Sequence, residues 1–294
     1  MTQTLTARSS GTIDLKELGT VHRLGFGAMR ITGPGIWGEP ADRGTARQVV
    51  RRAVELGVDF IDTADAYGPD VSEQIIAEAI HPYPRGVKIG TKVGHTRQGP
   101  NLWIPVGRAE YLRQQTELSL RKLRVEQLDL LQLHRIDSKV STDEQFGELA
   151  KLQSEGKAAA LGLSEVTVAQ IKEAEKYFTV STVQNRYNLT DHTSEDVLDY
   201  CEAHDIAFIP WAPISGGRLA TAGNAVGKAA EQLGAKRAQV ALAWLLKRSP
   251  MMVTIPATGS VDQLEENIAA ASIELDDETY RAIAAAATKS SARR

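Results

Sequence analysis

Cysteine is almost missing from this 294-residue chain: Cys201 stands alone. An internal disulfide and a zinc–thiolate cluster are both excluded, and a reducing compartment is the simplest setting. Charge of one sign is missing too. A formal net charge of −3 and a pI near 6.1 leave no electrostatic footprint for nucleic acid or an anionic membrane. No stretch approaches the roughly eighteen consecutive apolar residues of a membrane span, and the opening segment MTQTLTARSSGTIDLKELG lacks an apolar core of signal-peptide length. A soluble, cytoplasmic protein is expected. Internal repeats, low-complexity tracts and linkers are also absent, so residues 1–294 read as one domain.

The remaining composition is ordinary, with 42% hydrophobic and 24% charged residues, enough to build a core of normal size. From about residue 24 short apolar runs alternate with longer amphipathic segments. The runs are LGFGAM, Val58–Thr63, Val87–Lys92, Leu128–His134, Ala158–Ser164, Thr182–Asn185, Ile206–Trp211 and Met252–Pro256. They are dense in apolar residues rather than alternating, as parallel strands covered on both faces should be. Helical patterns fall between them at Ala46–Leu56, Ser72–Ile80, Tyr111–Leu123, Asp143–Ser154, Val168–Tyr177, Glu195–His204 and Gln239–Lys247. Eight strands, each followed by a helix, predict an α/β fold of the (β/α)₈ TIM-barrel type. A doubly wound open sheet is the alternative, but no G-x-G-x-x-G turn follows the first strand.

Three segments break the rhythm. Thr12–Arg23 is expected to form an N-terminal hairpin that plugs the barrel bottom. Gly94–Arg108 and Ala212–Gly227 are expected to be long loops over the mouth, a length usually kept for function. Reactive groups in such barrels stand at the carboxyl ends of the strands. Asp62, Lys92 and His134 end strands two, three and four, and Tyr67 lies five residues past Asp62. Each has an ordinary explanation alone: a turn cap, a packing aromatic, a core histidine. Their convergence on one mouth favours chemistry. Asp62 would hold Lys92 protonated, and the ammonium would lower the Tyr67 pKa. Tyr67 would then protonate a developing alkoxide beside His134. None of the four supplies hydride, so a reduced cofactor must.

FIDTADAYG, IGTK, LDLLQLHR, GLSE, VQNRYN, PWAPISGG and IPATGSVDQLEEN, spread over almost the whole chain, resemble the motifs of the aldo-keto reductases in order and spacing. The resemblance implies NAD(P)H-dependent reduction of an aldehyde or ketone, with Asp62, Tyr67, Lys92 and His134 as the catalytic set. It also implies a nicotinamide cofactor across the mouth, NADP(H) before NAD(H). Ser164, Glu165 and Gln184 would meet the nicotinamide carboxamide, and Trp211 would stack on the ring beside Gly27, Ala28 and Met29. Ala212, Pro213, Ile214, Gly216, Gly217, Arg218 and Leu219 would wrap the pyrophosphate. Pro256, Ala257, Thr258, Gln263, Glu266 and Asn267 would surround the adenosine end. Two positions depart from the family: Glu165 stands at the usual Asn, and no Lys or Arg occupies the segment that meets the 2′-phosphate, leaving Thr258 and Ser260 as donors.

The segment MRITGPGIWGEPADR is similar to a bacterial branch that includes pyridoxal reductases. Met29, Trp37, Trp103 and Arg135 are the expected pocket wall, suited to a small aromatic or aliphatic carbonyl. No metal is expected, and the chain is read as monomer or homodimer. Two other readings stay open at this stage. One is a Schiff-base aldolase with Lys92 as nucleophile; the other is a non-catalytic, cofactor-sensing regulatory subunit.

Overall fold

Apolar runs too short for helices, each followed by a capped amphipathic segment, dictate the alternation of this chain. The computed structural model describes residues 5–214 and 223–291. In chain order these hold β1 (Thr12–Leu15), β2 (Gly19–His22), β3 (Phe26–Gly27), α1 (Arg43–Glu55), β4 (Phe60–Asp62) and α2 (Val71–Ile80). There follow β5 (Lys88–Val93), β6 (His95–Thr96), β7 (Ile104–Pro105), α3 (Ala109–Leu123), β8 (Leu128–Leu133) and α4 (Thr142–Ser154). Then come β9 (Ala158–Ser164), α5 (Val168–Ala174), β10 (Val180–Gln184), α6 (Glu195–Ala203) and β11 (Ala207–Phe208). The chain closes with α7 (Gly223–Gln232), α8 (Arg237–Arg248), α9 (Val261–Ala269) and α10 (Asp277–Ser291). No described helix is long and apolar enough to cross a membrane.

Seven parallel strands pair in the order β11-β10-β9-β8-β5-β4-β3. The eighth stave is a run of parallel bridges, Phe208 with Met252, Leu24 with Thr254 and Gly27 with Ala257. There Val253 N donates to Phe208 O, and Thr254 N to Arg23 O, both at 2.9 Å. The run joins β11 to β3 and shuts the barrel.

Local chemistry starts the helices. The Asp42 carboxylate accepts from Gly44 and Thr45 N–H at α1, and Thr167 with Gln170 forms a capping box at α5, each satisfying donors a first turn leaves open. The core has two parts. The larger lies between barrel and helices. The smaller lies inside the barrel, where Ile13, Leu15, Leu18 and Val21 of the antiparallel β1–β2 hairpin meet Phe60, Leu130, Ala160, Ala207 and Val253. Lys16 Nζ reaches the His204 carbonyl at 2.6 Å and His22 Nδ1 reaches Asp59 at 2.6 Å, just ahead of β11 and β4. The hairpin therefore caps the amino ends of the strands and leaves the carboxyl ends open.

Some boundaries differ from the sequence expectation. The long loop Gly94–Arg108 contains the antiparallel β6–β7 ribbon. The loop expected over Ala212–Gly227 gives way to α7 at Gly223, because Val226, Ala229 and Ala230 turn a buried face to the core. α5 stops at Ala174, short of Tyr177.

Candidate active site

The register of the sheet sets three strand ends on one rim, each two residues beyond the last. Asp62 closes β4 opposite Gly90, two residues before Lys92, and Lys92 pairs with Gln132 on β8, two residues before His134. Tyr67 arrives from the loop after β4, held by Tyr67 N on Ala64 O at 3.2 Å and Asp65 N on Lys92 O at 3.1 Å. The next residue, Gly68, has φ 110°, and a Cβ there would lie 2.4 Å from Val71 Cβ. Only glycine makes that turn without strain.

Lys92 uses all three ammonium protons. Nζ donates to Asp62 Oδ2 at 2.7 Å, to the Thr63 carbonyl at 2.7 Å and to the Tyr67 hydroxyl at 3.2 Å. The second Asp62 oxygen accepts from Gln184 Nε2 at 2.7 Å. Lys92 is 0% and Asp62 2% exposed, so each charge depends on the other. Burial opposes the ammonium, but Asp62 and then Tyr67 outweigh it and lift the Lys92 pKa above its ordinary value. A Schiff-base role needs a neutral amine with a free lone pair. This lysine has neither.

The sequence expectation that Lys92 brings the Tyr67 pKa below the free phenol is corrected here. Burial raises it, Lys92 works against burial, Asp62 offsets part of that help, and the net shift is upward. Lys92 still leaves the phenol more acidic than burial alone would. His134 is held well below its usual pKa, by burial first and then by Lys92, His95, Arg135 and Arg97. It is a neutral imidazole, and its Nδ1 has no hydrogen-bond partner among the described residues. A phenol backed by a buried ammonium, beside a neutral imidazole, can donate to an oxygen that is gaining negative charge.

Aromatic rings enclose the group. Tyr67 meets His134 edge-on at 5.9 Å and Trp103 at 6.2 Å. His95 lies 4.4 Å from His134 and 5.6 Å from Trp103. Trp37 joins the same rim through a backbone bridge to Gly68. Arg135 Nη1 donates to Ser164 Oγ at 2.9 Å. Met29 sits farther along the rim, in the 3₁₀ turn after β3. His95 was not anticipated: it follows the expected strand inside a segment read as loop.

The residues expected to hold a cofactor form a complementary set. Ser164 Oγ accepts from Arg135, which leaves its own proton to give. Gln184 gives its amide nitrogen to Asp62, which leaves its carbonyl oxygen to accept. One donor and one acceptor match the two halves of a carboxamide, so the site fits a nicotinamide. Glu165 does something else. Its Oε1 accepts from Trp211 Nε1 at 2.5 Å and from Arg186 N at 2.7 Å, fixing the indole at the mouth rather than awaiting a ligand. Glu165 and Ala212 both adopt left-handed backbone, φ 56° and 54°, a strain that residues other than glycine carry mainly at functional turns.

Gly27, Ala28, Pro256 and Ala257 lie where the eighth stave meets β3, with Gly27 N on Pro256 O at 3.2 Å. Pro213 is buried, and Ile214 packs against the outer core. Gly216, Gly217, Arg218 and Leu219 lie outside the described residues. Thr258 Oγ1 donates to Gln263 Oε1 at 2.8 Å and accepts from Ser260 N at 3.0 Å. Asn267 is buried, and Glu266 is ion-paired with Lys236. That lysine was missed because it precedes α8, far from Glu266 in sequence.

The model of the Aldo/keto reductase family matches residues 23–288. An uncharacterized oxidoreductase of Schizosaccharomyces pombe is 49% identical over 93% of this chain and 89% of its own length. Pyridoxine 4-dehydrogenase of Escherichia coli is 41% identical over 89% of this chain and 94% of its own. Among solved structures, the glycerol dehydrogenase of Gluconobacter oxydans superimposes with a TM-score of 0.86 at 26% identity, covering 95% of this chain and 96% of that one. An aldo-keto reductase of Klebsiella pneumoniae in complex with NADPH gives 0.78 at 25% identity, covering 92% and 93%.

Proposed function

The chain belongs to the aldo/keto reductase family and is a nicotinamide-dependent oxidoreductase of carbonyl chemistry, and from that premise we propose that Tyr67 is its proton donor. The bound nicotinamide supplies the hydride. Everything else falls to this chain's side chains. The substrate oxygen sits between the Tyr67 hydroxyl and the neutral His134 imidazole, whose N–H orients it. As charge builds on that oxygen, Tyr67 releases its proton to it, and the Lys92 ammonium offsets the phenolate left behind. Asp62 keeps Lys92 charged, and Gln184 keeps Asp62 in place. In the reverse direction the phenolate removes the alcohol proton. The observation that supports this reading most is the contact of one buried ammonium with both Asp62 and the Tyr67 hydroxyl.

The substrate in this reading is pyridoxal or another small aromatic or aliphatic carbonyl. The wall of Trp37 and Trp103 offers flat apolar faces, and the Escherichia coli relative is named for pyridoxine oxidation. NADP(H) is the preferred cofactor, as in the Klebsiella structure, with Ser164 and Gln184 on the carboxamide and Thr258 and Ser260 toward the 2′-phosphate.

Turnover of pyridoxal, benzaldehyde and a short aliphatic aldehyde, followed by NADPH absorbance, tests substrate and chemistry together. Tyr67→Phe should lower kcat by about 10²–10⁴ while NADPH still binds with normal affinity by fluorescence titration. Full activity in that variant removes Tyr67 from the role. No pyridoxal turnover beside good turnover of the others removes pyridoxal.

A further inference from the structure

Arg97 stands between β6 and β7, and the proposed chemistry makes no use of it. It is only 8% exposed, yet its partners are carbonyls, not carboxylates. Nε donates to Leu102 O at 2.8 Å; Nη1 donates to Ile36 O at 2.9 Å and Ala66 O at 2.7 Å. Nη2 donates to Gly35 O at 3.1 Å and Gly99 O at 3.3 Å. Five N–H groups thus meet five backbone carbonyls, the full capacity of a guanidinium. Its plane also lies against the Trp103 ring, 3.6 Å from the centroid, with Trp37 at 5.8 Å.

Those carbonyls belong to three separate segments. Residues 35–36 precede Trp37, residue 66 precedes Tyr67, and residues 99–102 precede Trp103. Among the described residues the segments also meet through Gly38 N on Gly68 O, Gly68 N on Ile36 O, Asn101 N on Gly35 O and the edge contact of Tyr67 with Trp103. A buried cation is costly without acceptors, and each charged hydrogen bond is stronger than a neutral one. The loops therefore cannot drift apart without stranding the charge.

We propose that Arg97 is a positioning residue, a five-pronged clasp that gathers the loops of Trp37, Tyr67 and Trp103 into one substrate wall. The proposal rests on the reading of Tyr67 as the proton donor at the carbonyl site. A lysine cannot replace it, since three protons on one nitrogen do not span five carbonyls around a plane. The clasp touches none of the groups assigned to the cofactor. Its loss falls on the carbonyl substrate.

Arg97→Lys and Arg97→Met should each raise the carbonyl KM at least tenfold, with NADPH affinity unchanged within twofold. Amide hydrogen exchange should accelerate at 35–38, 66–68 and 99–103 and stay unchanged in the barrel strands. Free guanidinium at millimolar concentration should restore part of the KM of Arg97→Ala. A normal KM in Arg97→Lys, unaltered exchange in the three loops, acceleration spread through the strands, or a parallel loss of NADPH affinity each overturns the clasp. Were the wild-type protein to reduce no carbonyl, the catalytic reading would fall, and the exchange pattern alone would still decide the role of Arg97.

Discussion

Burial and charge pull against each other on every ionisable group at the mouth, and the outcome differs by residue. Lys92 stays charged because Asp62 overcomes its burial. His95 has no carboxylate partner among the described residues. It is 5% exposed, and burial, then Arg135, Arg97 and Lys92, lower its pKa from 6.5 to about 4. The sign for stability follows. Between those values the unfolded imidazole is protonated and the folded one is not, so the unfolded chain binds more protons and folding weakens as pH falls. His95 alone should remove about 3 kcal/mol between pH 7 and pH 4. Urea unfolding across that range checks this against His95→Phe, which keeps an aromatic ring beside Trp103 and His134. The variant should lose less stability toward acid; parallel pH dependences would show that His95 carries no such penalty.

The elements show how far one-dimensional reasoning reached. Strand ends are legible because apolar runs stop abruptly at Asp62, Lys92 and His134, which places the three positions on one rim from the sequence alone. The eighth stave was legible as MVTIP. Arg97 was not legible, because its partners are backbone carbonyls that any sequence would offer. The β6–β7 ribbon was hidden by prolines and glycines, and α7 by glycines around Val226, Ala229 and Ala230. Lys236 was hidden by distance along the chain. The start of α8 brings its ammonium onto Glu266 of α9, where Gln239 Nε2 also donates to Glu266 O at 2.8 Å. Lys236, the N-cap residue of α8, thus stands beside Glu266, one of the residues proposed for the adenosine end. Lys236→Met should raise the KM for NADPH up to about fivefold, the scale of an exposed charge pair, and leave that for NADH unchanged. Equal effects on both cofactors, or none, would place Lys236 away from the phosphate.

Across the whole molecule, stability and chemistry are assigned to opposite ends of one barrel. The amino ends are sealed by the β1–β2 hairpin, whose Ile13, Leu15, Leu18 and Val21 fill the interior against Phe60, Leu130 and Val253. The carboxyl ends carry Asp62, Tyr67, Lys92 and His134. Between plug and mouth the strands are stiff, with both faces covered and hydrogen bonds on both edges once the 252–257 stave closes the ring. A defect in the plug should then register as lost folding energy without reaching the mouth. Val21 is fully buried at 0% exposure, and Val21→Ala leaves a small cavity costing about 2 kcal/mol. In a chain of this length that should lower the thermal midpoint by roughly 3 °C. At 25 °C, far below the transition, kcat and the KM values for carbonyl and cofactor should stay within twofold of the wild type. A KM shift of fivefold or more at that temperature would mean that the interior layers transmit packing changes along the barrel axis, and that plug and mouth act as one unit.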